Sequence, residues 1–256
     1  MIFKSKKNHI NIAVVCDKGR IRDNNEDNLF FGTQILPMNH EGCGLKDFEM
    51  RESTPLCFGV CDGMGGEAKG ELASYVATKT FAKLLKTKKV TEELLETVFL
   101  EVNKTVYDTS VGEKITQIGA TGSVVVIDHN AALIGNVGDS PIFLIRGGVI
   151  EQVSISHTNE EWLKENGIDR KPELIQFLGM DYNDAEIEPS IRRIDLKKGD
   201  QILICSDGLT DMVRVDEINV FLNEDKDINK KVEMLLNEAL NNGGKDNISI
   251  ILAEVL

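Results

Sequence analysis

Residues 119–153 read GATGSVVVIDHNAALIGNVGDSPIFLIRGGVIEQV. Short apolar runs rich in β-branched residues alternate here with turn formers, which predicts strands over residues 122–127, 131–137, 142–146 and 149–153. Asp128-His129-Asn130 and Gly147-Gly148 mark the turns. The connections are too brief to hold crossover helices, so the reading pairs these strands antiparallel.

Upstream the period changes. Leu72, Ala73, Val76, Ala77, Phe81, Leu84 and Leu85 recur at three-to-four spacing, as do Leu95, Val98, Phe99, Val102 and Val106. Two amphipathic helices follow, each with an apolar face that needs a flat surface to cover. Further strands are expected at 11–15, 28–31 and 56–61, and residues 32–55 read as an irregular surface excursion. Downstream, a short helix is expected near 160–165, ending at Gly167. Strands follow at 187–194 and 201–205, then a helix around 230–240 and a closing strand at 247–255. Sheets packed together with helices outside account for this order. With 256 residues, 41% of them hydrophobic, and only five prolines, residues 1–256 read as one compact domain.

Charge narrows the function classes. Lys and Arg number 29 against 42 acidic residues, a formal net of −13. Such a chain repels nucleic acid and anionic membranes, whose binding rests on basic side chains. No apolar run is long enough to span a bilayer, and no secretion signal follows Lys4, Lys6 and Lys7. The five cysteines contain no CxxC pair and read as reduced, buried thiols in a cytoplasmic protein.

Several aspartates lie in turns directly after β-rich runs: Asp62-Gly63, Asp139-Ser140 after Gly138, Asp207-Gly208 after Ser206, and Asp246-Asn247 after Gly243-Gly244-Lys245. Each pair alone is an ordinary turn former. Together, carboxylates projecting from strand ends are how hard cations such as Mg²⁺ or Mn²⁺ are held. Two carboxylates at roughly 5 Å and an effective dielectric near 20 repel by about 3 kcal/mol, so convergence calls for cations. The segment Gly19-Arg20-Ile21-Arg22-Asp23-Asn24-Asn25-Glu26-Asp27 adds a guanidinium beside two adjacent acids, and Arg22 has the fork geometry for a phosphate.

Arg22 with Glu26-Asp27, Asp62-Gly63-Met64-Gly65-Gly66, Gly119-Ala120-Thr121, Gly138-Asp139-Ser140, Ser206-Asp207-Gly208 and Gly243-Gly244 with Asp246-Asn247 occur in one order along the chain. In that order the sequence resembles the metal-dependent serine/threonine phosphatases of the 2C type, close to their bacterial members. The resemblance implies an α+β fold, a four-layer sandwich of two central antiparallel sheets flanked by helices on both outer faces. It implies two or three Mn²⁺ or Mg²⁺ ions. Asp62 would bridge two metals, with the Gly63 carbonyl, Asp207 and Asp246 completing their ligands and Asp139 serving a third. Glu26 and Asp27 would act through water, Asn247 would steady Asp246, and Arg22 would grip the phosphoryl group. The implied partner is a phosphorylated protein, opposing a serine/threonine kinase, and the implied state is a monomer.

Departures from the family pattern fall at Met64, Glu67, Pro141 and Ser156, none of them a core ligand. Met64 stands where eukaryotic members carry a histidine proposed as general acid. The alternatives are a phosphatase-like scaffold without turnover and a zinc site from His40, Cys43, Cys57 and Cys61, whose spacing matches no standard module. Residues 63–70 lack a GxxxxGK[ST] loop.

Overall fold

The computed structural model describes residues 10–50, 55–64, 69–87, 89–115 and 118–256. One sheet contains β1 (Ile10–Asp17), β4 (Gly42–Met50), β9 (Ile142–Arg146), β10 (Val149–Gln152), β12 (Gln201–Cys205) and β13 (Ile248–Val255). Its strand order is β10-β9-β12-β13-β1-β4. The second sheet contains β2 (Asp27–Phe31), β3 (Gln34–Ile35), β5 (Leu56–Met64), β7 (Gly122–Asp128), β8 (Ala131–Val137) and β11 (Ser190–Asp195), in the order β11-β8-β7-β5-β2-β3. The short β6 (Gly119–Ala120) pairs with the end of β5. The recorded pairings are antiparallel.

Strand alternation builds three apolar layers. Ile12 and Val14 of β1, Phe58 and Val60 of β5, and Ile202 and Ile204 of β12 meet between the sheets. The intervening residues point outward: Cys57 and Cys61 of β5 join one helical layer, and Leu203 and Cys205 of β12 the other. With both faces buried, these strands read as near-continuous apolar runs rather than as alternating ones.

Helices α1 (Gly70–Leu84) and α2 (Glu92–Glu113) cover the second sheet. Thr91 opens α2 by accepting the Leu94 N–H at 3.2 Å, an N-cap that satisfies one orphan donor. Phe99 then meets Phe81 of α1 edge-on, with ring centroids 4.9 Å apart. On the other side α4 (Asp207–Thr210), α5 (Val215–Leu222) and α6 (Ile228–Asn241) cover the first sheet, and α3 (Glu160–Glu165) lies in the connection after β10. Four layers result, as the resemblance implies.

Three expectations need correction. Residues 32–55 are not a loop throughout, since β3 and β4 lie there and β4 runs along β1 from Ile10↔Met50 to Asp17↔Gly42. β4 is an edge strand, and the glycines and charged residues in its sequence, GCGLKDFEM, carry no apolar signature. β8 and β9 do not pair: the chain crosses from one sheet to the other through residues 138–141. The strand expected from residue 187 begins at Ser190, and Ile187 instead packs into the helical layer.

Candidate active site

The two sheets bring carboxylates together at neighbouring strand ends. Asp27 at the start of β2 lies opposite Asp62 near the end of β5 in the strand register. The Asp62 N–H donates to Thr121 Oγ1 at 2.9 Å, and the Thr121 N–H donates back to the Asp62 carbonyl at 2.8 Å. The Gly63 N–H donates to the Glu26 carbonyl at 3.0 Å. A Cβ on Gly63 would stand 2.2 Å from the Gly70 carbonyl and 2.5 Å from that of Glu26, so only glycine fits this crossing.

From the first sheet, β12 ends into Ser206-Asp207 and β13 begins after Asp246-Asn247. Because β12 and β13 are neighbours, these segments touch, and a Cβ on Gly208 would lie 2.0 Å from the Asn247 carbonyl. Ser206 Oγ donates to Asp27 Oδ2 at 2.7 Å and accepts the Ser249 N–H at 3.0 Å, tying one sheet to the other under the cleft. Asn247 Oδ1 accepts the Glu26 N–H at 2.7 Å, and its Nδ2 donates to the carbonyls of Lys18 (2.8 Å) and Asn24 (3.0 Å). The Asn247 side chain therefore clasps the loop that carries Arg22, while its backbone N–H donates to Asp246 Oδ1 at 2.8 Å. Asp139 sits at the crossing between sheets, where the Gly138 N–H donates to His157 Nδ1 at 3.1 Å. His157 is thereby a buried structural group, not a base in the cleft.

Electrostatics records the crowding. Burial, then Asp207 and Asp246, push the Asp27 carboxyl up to about 7, even though Ser206 donates a hydrogen bond to it. Burial, then Asp27, Asp207, Asp246 and Asp139, hold Asp62 well above the usual carboxylate range. Burial and Asp207 raise Asp139 to about 6. Asp207 is raised by burial and drawn back by Lys171. Glu26 is raised by burial and lowered by Arg22. The buried aspartates feel neighbouring carboxylates as like charges in a desolvated setting, and Glu26 feels Glu71.

Two cations of the chain itself meet this charge. Arg22 donates from one guanidinium nitrogen to Asp246 Oδ2 at 2.6 Å, with Glu26 at 3.9 Å from the other. Lys171, in the loop after α3, reaches Asp207 at 3.1 Å and Asp211 at 2.8 Å. With these contacts in place, no three acids among the described residues are drawn into a ready ligand sphere. Arg22, Glu26, Asp27, Asp62, Gly63, Asp139, Asp207, Asp246 and Asn247 nevertheless form one neighbourhood, linked by the contacts given above.

Sequence reading did not single out Lys171, Asp211 and Ser249, and quoted Ser206 and Asn25 within motifs without a role. Asp211 had a usable signal, being four residues after Asp207 and so on the same helical face. Lys171 had none, because a loop lysine carries no periodicity. Gly65, Gly66 and Glu67 lie outside the described residues. The zinc alternative fails on topology: Cys43 packs toward the layer between the sheets, Cys57 and Cys61 toward the helices.

The layered fold is shared with a solved structure: the chain superposes on the S. agalactiae serine/threonine phosphatase with a TM-score of 0.81 at 23% identity, covering 96% of this chain and 100% of that one. The chain belongs to the protein phosphatase 2C family, whose profile matches residues 46–253. It is 30% identical over 254 residues to the serine/threonine phosphatase stp of Listeria monocytogenes, covering 93% of each. The catalytic domain of the serine/threonine protein phosphatase PstP, solved in complex with 2 manganese ions, matches with a TM-score of 0.76 at 26% identity, over 97% of this chain and 99% of that one.

Proposed function

We propose that residues 1–256 act as one catalytic unit that hydrolyses phosphoserine and phosphothreonine in proteins with the help of Mn²⁺ or Mg²⁺. The observation that carries this reading is the convergence of Asp27, Asp62, Asp139 and Asp207, all destabilised as anions by burial and by one another. That donor set is all oxygen and rich in negative charge, which fits hard divalent cations and not softer ones.

Asp62, the Gly63 carbonyl, Asp207 and Asp246 would hold two such ions, with Asp139 beside Asp207 available to a third. When bound, the ions acidify water and neutralise charge developing on the phosphoryl oxygens. Glu26 and Asp27 would orient water in the cleft as hydrogen-bond acceptors. Arg22, half exposed at the rim, would turn its fork from Asp246 to two phosphoryl oxygens and fix the ester for in-line attack. Met64 has no acidic proton, so the leaving serine or threonine oxygen takes its proton from water rather than from that side chain. A substrate of this kind is the product of a serine/threonine kinase.

The test is release of inorganic phosphate from a phosphothreonine peptide with Mn²⁺ and with chelator. Turnover with Mn²⁺ alone is expected. A folded protein that binds Mn²⁺ but releases no phosphate would establish the scaffold reading instead.

A further inference from the structure

Beneath the cleft, Cys16 of β1 and Cys43 of β4 are directly opposed in the antiparallel register, beside an irregularity between Val14 and Cys16. Both belong to the layer between the sheets. Opposed residues of an antiparallel pair have Cα atoms about 4.5–5.5 Å apart, inside the span of about 4.4–6.8 Å that a disulfide bridges. Cys57, Cys61 and Cys205 face the helical layers instead, and none is opposed to another cysteine across a strand pair.

Cys16 is also wired to the site. Its sulfur accepts from Asn25 Nδ2 at 3.3 Å and from Ser249 Oγ at 3.2 Å. Asn25 Oδ1 in turn accepts the Asp27 N–H at 3.1 Å, and the Ser249 N–H donates at 3.0 Å to Ser206 Oγ, which donates to the Asp27 carboxylate. An open groove of about 550 Å³ is lined by Val15, Cys16, Asp17, Gly42, Cys43 and Leu236, and of the two cysteines Cys43 is the partly exposed one while Cys16 is buried. Gly44, which follows Cys43, has no atom within 4 Å of a would-be Cβ, so β4 has room to adjust.

We propose that Cys16 and Cys43 are a redox-modification site: a disulfide between them pulls the Cys16 sulfur off Asn25 and Ser249 and disables the carboxylate cleft. The oxidant is hydrogen peroxide. The Cys43 sulfur, half-buried at the groove, attacks the peroxide oxygen, giving a sulfenic acid and releasing water. The Cys16 sulfur then displaces the hydroxyl from the Cys43 sulfur, forming the S–S bond and a second water. Two thiols lose two electrons and two protons, and the peroxide takes both. A thiol reductant reverses the step.

The full-length protein is treated with hydrogen peroxide and then digested under non-reducing conditions. A cross-linked peptide joining Cys16 to Cys43 is expected, with intact mass lower by two hydrogens. Mn²⁺-dependent phosphate release and the Mn²⁺-induced rise in melting temperature should both fall at least tenfold or vanish, and dithiothreitol should restore them. Cys43→Ser should keep its basal activity and resist peroxide. The mass readout does not depend on the phosphatase reading, and the melting shift needs no turnover, so failure of either idea is distinguishable. A different cysteine pair in the cross-link, equal inactivation of Cys43→Ser, or a Cys16–Cys43 bond that leaves the metal response unchanged would overturn the proposal.

Discussion

Asp207 is raised by burial and partly neutralised by Lys171, so its charge is in tension with its surroundings. Replacing it with asparagine removes that charge without changing volume. Asp207→Asn is expected to lower kcat more than 100-fold while the urea midpoint stays equal or rises, since a repelled anion is lost. Steady-state kinetics alongside urea denaturation check this, and retained turnover would remove Asp207 from the ligand set. Arg22 works on a different quantity. A charge-assisted bond contributes about 1.5–3 kcal/mol, so Arg22→Ala should raise KM for a phosphopeptide roughly 10- to 100-fold with a smaller change in kcat. Lysine at this position should restore little, because the fork is lost. Asp62, Asp139 and Asp207 were legible because each comes at the end of an apolar run, and Asp246 because it follows Gly243-Gly244. Their partners Thr121 and Ser206 were quoted only as parts of motifs. Hydrogen-bond roles depend on which strand ends lie side by side, which no local pattern states.

At the scale of elements, strand pairing places the site and helix packing keeps the strands in place. Phe99 of α2 is fully buried, packs on Phe81, and would lie 2.6 Å from a Cβ on Gly135 of β8. Phe99→Ala leaves a cavity between helix and sheet, at an expected cost of about 3–5 kcal/mol in denaturant unfolding with KM unchanged. The opposite profile is expected where an element touches the cleft. Asn247 holds the loop that carries Arg22 through three side-chain hydrogen bonds. Asn247→Ala should therefore impair phosphopeptide turnover beyond its modest effect on melting, and a pure stability loss would refute its role in loop placement. The helical faces of α1, α2 and α6 were plain in the sequence because burial on one side imposes a 3.6-residue period. α5 was not read: it is only eight residues long, and Val220 within it is exposed. Edge strand β4 escaped for a related reason, since an edge tolerates glycine and charge.

Over the whole molecule, crowded acids couple stability to pH and to cations. In the folded state Asp27 keeps its proton up to about pH 7, whereas the unfolded chain releases it near the ordinary 3.8. Asp139 behaves likewise up to about 6. Between those values the folded state binds more protons than the unfolded one, so the free energy of unfolding falls as pH rises. In chelator the melting temperature should accordingly decline from about pH 4.5 to about pH 7.5. Millimolar Mn²⁺ at pH 7.5 should raise it, because ions that bind only the folded cluster stabilise it by mass action. Melting curves with and without Mn²⁺ across this range decide the matter, and curves that coincide at pH 7.5 would argue against a metal cluster.

The sequence by itself determined the alternation of apolar strands and amphipathic helices, the acidic balance, and the aspartates poised in turns. These are local properties, imposed by backbone geometry and side-chain period over a few residues. Only the tertiary structure decided that residues 138–141 cross between sheets, that β4 borders β1, and that Lys171 reaches Asp207. Each of those depends on which distant segments share a boundary, and such neighbours are selected by packing of the whole chain rather than by any window within it.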